Sequence, residues 1–293
     1  MGMGYQVDNA VILAAGTSSR FAPLSYEMPK ALIEVKGEVL IERQIRQLQE
    51  TGIDEIVIVT GYRKKQLAYL RDKFPGIVLV ENSDYLKRNN HASIYAARDY
   101  LRNTYICSSD NYFSQNPFEK EVEEAYYAAV YADGKTGEWC MEEDADGYIS
   151  RVTIGGENSW YMLGHVFWSE EFSRRFLAVL NSVYHLPETA DMLWERIFME
   201  HLDELKMKIR KYPDNFIFEF DTLDELRAFD SSYLANTRSK ILKKVSSMLG
   251  CSERDIIHVQ AYKNFDNAAA GFRFQAAGTL YEYSYGTERL RRI

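Results

Sequence analysis

The sequence predicts an α/β protein with a Rossmann-like, mixed but mostly parallel sheet flanked by helices, followed by a small α+β C-terminal appendage. Two patterns carry that expectation. Between residues 10 and 107, short apolar strand patterns alternate with helical ones, which implies right-handed βαβ crossovers. From about residue 232 the pattern separates into one helix and three strands, a stretch too short to bury much core of its own. The expected division is therefore 1–231 and 232–293.

Each element has a local reason. Residues 10–15 form an apolar run of strand length. In 39–49, Ile41, Ile45 and Leu48 share one helical face, and Gly52 ends that helix. Residues 55–60 read as a buried strand. Residues 63–74 read as a helix with Leu67, Leu70 and Phe74 inward, closed by Pro75 and Gly76. A strand at 77–80, a helix at 92–101 and a strand at 104–107 follow. The middle changes character, with strands expected at 126–132, 148–154 and 161–168 and turns at Asp133-Gly134, Asp146-Gly147 and Gly155-Gly156. Helices are expected at 170–180 and 189–202, and a strand at 216–220. Thr222 is placed to cap a helix starting at Leu223. The appendage reads as a helix over 233–249 and strands over 256–262, 271–276 and 279–285.

Composition narrows the function. The chain has 293 residues, 46% of them hydrophobic, with 35 Lys plus Arg against 43 Asp plus Glu, a net charge of −8. That balance argues against a nucleic-acid or acidic-membrane partner, so any phosphate must be met by a local cluster of cations. Three widely spaced cysteines form no metal pair and suggest a reducing compartment. No apolar run reaches the length of a membrane span, and the N-terminus lacks the regions of a signal peptide, so a cytoplasmic protein is expected.

The most specific pattern is Leu13, Ala14, Ala15, Gly16 and Thr17, followed by Arg20 and then by Pro29 and Lys30. A strand empties into a turn of small residues whose N–H groups can cradle phosphate oxygens. Arg20 and Lys30 then supply positive charge for a triphosphate. Neither a Walker loop nor the dinucleotide fingerprint is present, because their further glycines and Gly-Lys-Ser/Thr are missing. Gly16 and Asp110 each follow a strand end, where ligands of open α/β sheets bind.

With these residues, Asn89, Asn90, Ser93, the Ser109–Tyr112 stretch, Gly137-Glu138-Trp139, Phe167-Trp168 and Phe218-Glu219-Phe220-Asp221, the chain resembles bacterial choline-phosphate cytidylyltransferases of the sugar-nucleotidyltransferase-like superfamily. The resemblance covers residues 9 to about 231 and implies the nucleotide-diphospho-sugar transferase type of fold. It implies Mg²⁺-dependent transfer of CMP from CTP to phosphocholine by in-line attack, giving CDP-choline and pyrophosphate. In that scheme Lys30 and Arg20 act on the phosphates, while Leu13, Ala14, Ala15, Gly16, Thr17, Asn90 and Ser93 face the nucleotide. Asp110 and Asp221 hold Mg²⁺, and Glu138, Trp139, Tyr161, Asp191 and Trp194 line the choline pocket, where aromatic faces and a carboxylate suit a quaternary ammonium. Glu195 is a further available carboxylate, and Trp168 fits better as a core residue.

The chain departs from the family at Leu193, where a Tyr is usual before the second tryptophan. Phosphoethanolamine therefore stays open as the acceptor, as do a sugar 1-phosphate and a nucleotide-sensing subunit without activity. The appendage, through Lys263-Asn-Phe-Asp-Asn267, Gly271-Phe-Arg-Phe274 and Tyr281-Glu-Tyr283, resembles the start of a choline-kinase N-lobe. No kinase catalytic loop lies between these residues and Ile293. A fused or partner choline kinase and homo-oligomerisation remain open.

Overall fold

The strand β1 (Asn9–Ala14) buries Ala10, Val11, Ile12 and Ala14 and lies inside a seven-stranded sheet. This computed structural model describes residues 4–264 and 269–293. The other strands of that sheet are β2 (Ile56–Thr60), β3 (Ile77–Glu81), β4 (Thr104–Ser108), β5 (Tyr126–Glu143), β6 (Ile149–Trp168) and β7 (Lys208–Tyr212), in the order β7-β5-β6-β4-β1-β2-β3. β1 runs parallel to both neighbours, with Val11 opposite Val57 on one side and Ile106 on the other. Only β6 runs against the rest, so the sheet is mixed and mostly parallel, as expected.

Helices supply the covering layers. α1 (Leu40–Glu50) buries Ile41, Ile45 and Leu48, the face its spacing predicts. A short α2 (His91–Ala96) follows β3. After β6, α3 (Glu170–Val183) begins at Ser169, whose hydroxyl accepts from the Phe172 N–H. α4 (Trp194–Met199) completes the layer. Phe172, Phe176, Trp194 and Phe198 from these helices join Val11, Val57, Ile106 and Trp168 from the sheet in one core. Residues 63–74 form a 3₁₀ turn (Lys64–Leu67) and a short helix (Leu70–Lys73) rather than one helix.

The middle segment differs from expectation. It contains two long strands, not three short ones, joined by a single turn in which the Asp144 carboxylate accepts from the Asp146 and Tyr148 N–H groups. Gly134, Gly155 and Asn158 adopt positive φ inside the ribbon, where the register shifts, so those positions bend the hairpin without ending a strand. Strand β7 pairs with β5 and was not anticipated: its sequence, Lys-Ile-Arg-Lys-Tyr, reads as a charged edge.

These elements form one unit, the residues through Gly16 together with Leu40–Glu219; Thr17–Val39 and Phe220–Ile293 form a second. The second unit contains α5 (Leu223–Phe229), α6 (Lys240–Leu249) and an antiparallel meander of β8 (Ile256–Lys263), β9 (Ala269–Ala276), β10 (Thr279–Ser284) and β11 (Arg289–Arg292). Thr222 caps α5 in a reciprocal box with Glu225. The buried guanidinium of Arg227 donates to the carbonyls of Ile256 (2.6 Å) and Glu253 (2.7 Å), tying α5 to the sheet. Phe272, Phe274 and Tyr283 are fully buried, so residues 232–293 contribute more core than their length suggested. The segment Thr17–Val39 belongs with them because Glu27, Tyr26 and Glu34 bond to it, which local sequence could not reveal. Residues 265–267 of the kinase-like motif lie outside the described residues. Among the described residues no helix is long and apolar enough to cross a membrane.

The end of β1 is held by close packing. The Ala15 carbonyl accepts from the Tyr62 N–H at 3.0 Å, and a Cβ at Gly61 would lie 2.9 Å from the Ala15 Cβ, the Ala15 oxygen and the Tyr85 ring. Only glycine lets these backbones approach so nearly. Gly61→Ala is therefore expected to cost about 1–3 kcal/mol and to shift the Ala15–Gly16 turn. Thermal unfolding and the KM for nucleotide measure the two effects; an alanine variant of unchanged stability would contradict the packing argument.

Candidate active site

In the first unit, the predicted loop stands at the C-terminal edge of the sheet. Ala14 and Ala15 are buried, Leu13 is half-buried and Gly16 is exposed. A Cβ at Gly16 would meet no protein atom within 4 Å, so its small size leaves open space in front of the turn. The Ser109 N–H donates to the Leu13 carbonyl at 3.3 Å, and Asp110 follows directly. Parallel pairing of Leu13 with Ser108 thus brings the loop and Asp110 to one edge, as the strand ends predicted.

A second group gathers around Glu195, at the start of α4. The Asn90 Nδ2 donates to the Glu195 carboxylate at 3.1 Å, and the Tyr127 hydroxyl donates at 3.4 Å. The Asn90 oxygen accepts from the Trp194 N–H at 2.7 Å. Burial pushes the Glu195 carboxyl up to about 7, against the hydrogen bonds that favour its charge. No Lys, Arg or His lies within ion-pair distance of it among the described residues. Burial, with the negative charges of Glu195 and Glu219, holds Tyr127 well above its ordinary value. Tyr161 is raised by burial and by Glu138 and Glu219. The two tyrosines and three glutamates therefore make an electronegative patch on half-buried aromatic ground.

Several expected roles change. The Asn90 side chain makes no helix-cap bond; its amide instead reaches the Trp194 N–H and the Glu195 carboxylate. Ser93 is 4% exposed and accepts from the Asn82 amide, an interior bond. Trp194 is 3% exposed: Tyr127 stacks on one face at 5.7 Å, while Trp168 and Phe176 pack edge to face. It braces Tyr127 from behind and offers no free ring face. Asp191 is exposed, and its carbonyl accepts from Asn89. Glu138 is exposed and Trp139 half-buried against the core, within a continuous strand rather than beside a turn. Sequence reasoning passed over Tyr127 and Glu219 as site residues; the latter's signal was a carboxylate at the end of the apolar strand Ile217–Glu219.

In the second unit, Arg20, Lys30 and Asp221 come together. The Arg20 guanidinium lies 2.5 Å and the Lys30 ammonium 3.6 Å from the Asp221 carboxylate. Lys30 is 5% exposed and lies over the Phe21 ring, whereas Arg20 is open to solvent. Ser18 holds positive φ at the entry to the turn that presents Arg20, and Thr17 is half-buried just before it. Two cations gathered at one carboxylate are a pairing suited to phosphate oxygens.

The chain is similar to known proteins. Residues 10–149 match the MobA-like NTP transferase domain. The chain is 35% identical over 241 residues to a 2-aminoethylphosphonate cytidylyltransferase of Lancefieldella rimae, spanning 81% of this chain and 98% of that protein. It is 31% identical over 221 residues to a choline-phosphate cytidylyltransferase of Streptococcus pneumoniae, spanning 75% and 96%. The solved CTP:phosphocholine cytidylyltransferase of S. pneumoniae superposes with a TM-score of 0.74 over 78% of this chain and 99% of that one. The inositol-1-phosphate CTP transferase of T. maritima, at 15% identity and a TM-score of 0.58, shares the fold. Loop, sheet and relatives agree, and the chain belongs to the bacterial choline-phosphate cytidylyltransferase-like family of the MobA-like NTP transferases: it is a nucleotidyltransferase that uses a cytidine nucleotide.

Proposed function

We propose that this cytidylyltransferase, working in the cytoplasm, joins CMP from CTP to a small phosphate or phosphonate that ends in a cationic amino group. The observation behind this reading is Glu195. A carboxylate raised to about 7 by burial, with neutral hydrogen-bond donors and no cation beside it, is stabilised by an arriving ammonium. A primary ammonium is favoured, because it donates hydrogen bonds to Glu195, whereas Trp194 has no ring face left for a trimethylammonium. The name of the L. rimae relative points the same way. A second reading keeps phosphocholine, held on Trp139 and Tyr161 beside Glu138; the names of the S. pneumoniae and Haemophilus influenzae relatives support it.

In the proposed reaction an acceptor oxygen attacks the α-phosphorus in line, the bond from that phosphorus to the bridging oxygen breaks, and pyrophosphate leaves. A phosphate monoester is largely ionised at neutral pH, with its second pKa about 6, so no protein base is required. Lys30 stabilises charge on the α-phosphoryl group from a nearly water-free position, where its field is strong. Arg20 binds the departing phosphates, and the N–H groups at Ala15 and Gly16 orient the chain of phosphates.

Mg²⁺ belongs to this proposal as the cofactor. Among the described residues no three His, Cys, Asp or Glu side chains gather to hold a metal alone. The family resemblance offers Asp110 and Asp221 as carboxylates for it, with phosphate oxygens and water completing its shell. When bound, it neutralises charge on the triphosphate.

Two tests follow. In pyrophosphate release with CTP, Lys30→Ala and Asp110→Ala are each expected to lose about 10²-fold or more in kcat, and chelation of Mg²⁺ should abolish turnover. Near-normal rates in the folded variants would sink the role assignments. For the acceptor, kcat/KM should be highest with 2-aminoethylphosphonate or phosphoethanolamine, and preference for phosphocholine would establish the second reading. Glu195 is ionised above about pH 7, so the acceptor KM should rise as pH falls through that value. Glu195→Gln should raise the acceptor KM by about tenfold or more, leave the KM for CTP alone and remove that pH limb.

A further inference from the structure

We infer that residues 232–293 are a positioning element of the transferase, acting through Glu27 and Tyr285 on the segment that bears Arg20 and Lys30. The inference rests on the reading of those two cations as phosphate ligands. The relatives are matched over nearly their full length by no more than 81% of this chain, so part of it lies outside the shared enzyme. What residues 232–293 do is not explained by the cytidylyltransferase reading alone.

Their contacts converge on Thr17–Val39. The Glu27 carboxylate sits at the N-terminus of α6, where it accepts from the Ser239 hydroxyl (2.5 Å) and the N–H groups of Lys240 and Ile241 (3.0 Å each). Those N–H groups have no intrahelical partner, and the helix dipole favours an anion there, so the site fastens Glu27 firmly. One residue earlier, the Tyr26 ring stacks on Tyr285 at 3.7 Å and 11°. The Glu34 carbonyl accepts from the Tyr233 hydroxyl (2.7 Å) and from Arg238 (3.3 Å). Behind Arg20, the turn Ser19–Phe21 lies against strand β8.

Arg20 and Lys30 thus lie in a segment anchored at the turn Ser19–Phe21, Tyr26, Glu27 and Glu34, all to residues 232–293. Alignment of charge with a triphosphate tolerates little displacement, and a shift of about 1 Å can cost about a hundredfold in rate. Glu27 and Tyr285 touch neither nucleotide nor acceptor in this scheme; they are positioning residues.

The test uses the full-length chain. Glu27→Ala and Tyr285→Ala are expected to lower kcat/KM for CTP by about tenfold to a hundredfold, with the acceptor KM unchanged. Tyr285→Phe, which keeps the stacked ring, should restore it. Amide hydrogen exchange over residues 19–33 should quicken in the alanine variants. Folded Glu27→Ala and Tyr285→Ala proteins with normal kcat/KM for CTP, whatever their melting temperature, would overturn the inference. Should either fail to fold, Ser239→Ala, which removes one hydrogen bond to Glu27, carries the same expectation in smaller degree, and unchanged CTP kinetics with unchanged exchange would overturn it. Lys30→Ala separates the two levels: loss there with no loss at Glu27 and Tyr285 refutes only the positioning role, whereas no loss at Lys30 refutes the phosphate reading beneath it.

Discussion

Parallel pairing of β1 on both sides is the constraint on which the first unit depends. A strand hydrogen-bonded to β2 and β4 and buried on both faces has no freedom of register, because a slip by one residue would exchange its two sets of side chains between layers. Fixed register delivers Ala14, Ala15 and Gly16 to the same sheet edge as Asp110. It also makes Gly61 necessary, since the turn after β2 must pass within contact of the Ala15 backbone. A loop that binds phosphate through N–H groups gains most when those groups need no rearrangement, and the rigid strand behind them removes that cost.

Charge is distributed against the grain of the composition. A chain of net charge −8 repels a triphosphate at long range, so attraction has to be local. Lys30 lies buried over Phe21, where little screening water reaches it, and Asp221 pairs with both Arg20 and Lys30. The patch around Glu195 has the opposite sign. Glu195, Glu219 and Glu138 surround Tyr127 and Tyr161, an arrangement that rejects a second anion and welcomes a cation.

Much of this was legible because it is local. Apolar runs marked β1 to β4, the first two closed by Gly16 and Gly61, and the spacing of Ile41, Ile45 and Leu48 marked α1 with its buried face. The loop residues and Asp110 needed only the rule that ligands bind beyond strand ends. What failed was decided by distant partners. Gly134 and Gly155 look like turn residues, yet in a long ribbon their positive φ makes bulges. The edge strands β7 and β11 are rich in Lys and Arg and carry little apolar signal. Asn90 and Trp194 read as ligand-facing because their types suit ligands; instead the Asn90 oxygen accepts from the Trp194 backbone N–H, 104 residues away, and the Trp194 ring is packed by Tyr127, Trp168 and Phe176.

The same logic explains why the compact units divide the chain differently from the expected 1–231 and 232–293. Residues 232–293 look like an independent appendage when only local composition is considered. A carboxylate at Glu27 and the amide N–H groups at Lys240 and Ile241 are ordinary surface groups in isolation, separated by more than 200 residues of chain. Once joined, they satisfy two donors that a helix start would otherwise leave to water, and they carry the aromatic stack of Tyr26 on Tyr285 with them. The segment from Thr17 to Val39 then gains its order from residues far along the chain as well as from the strand that precedes it. An enzyme built this way has tied the residues proposed to meet its nucleotide to its most C-terminal sheet, so substitutions in that sheet should be felt first by CTP and only afterwards by the acceptor.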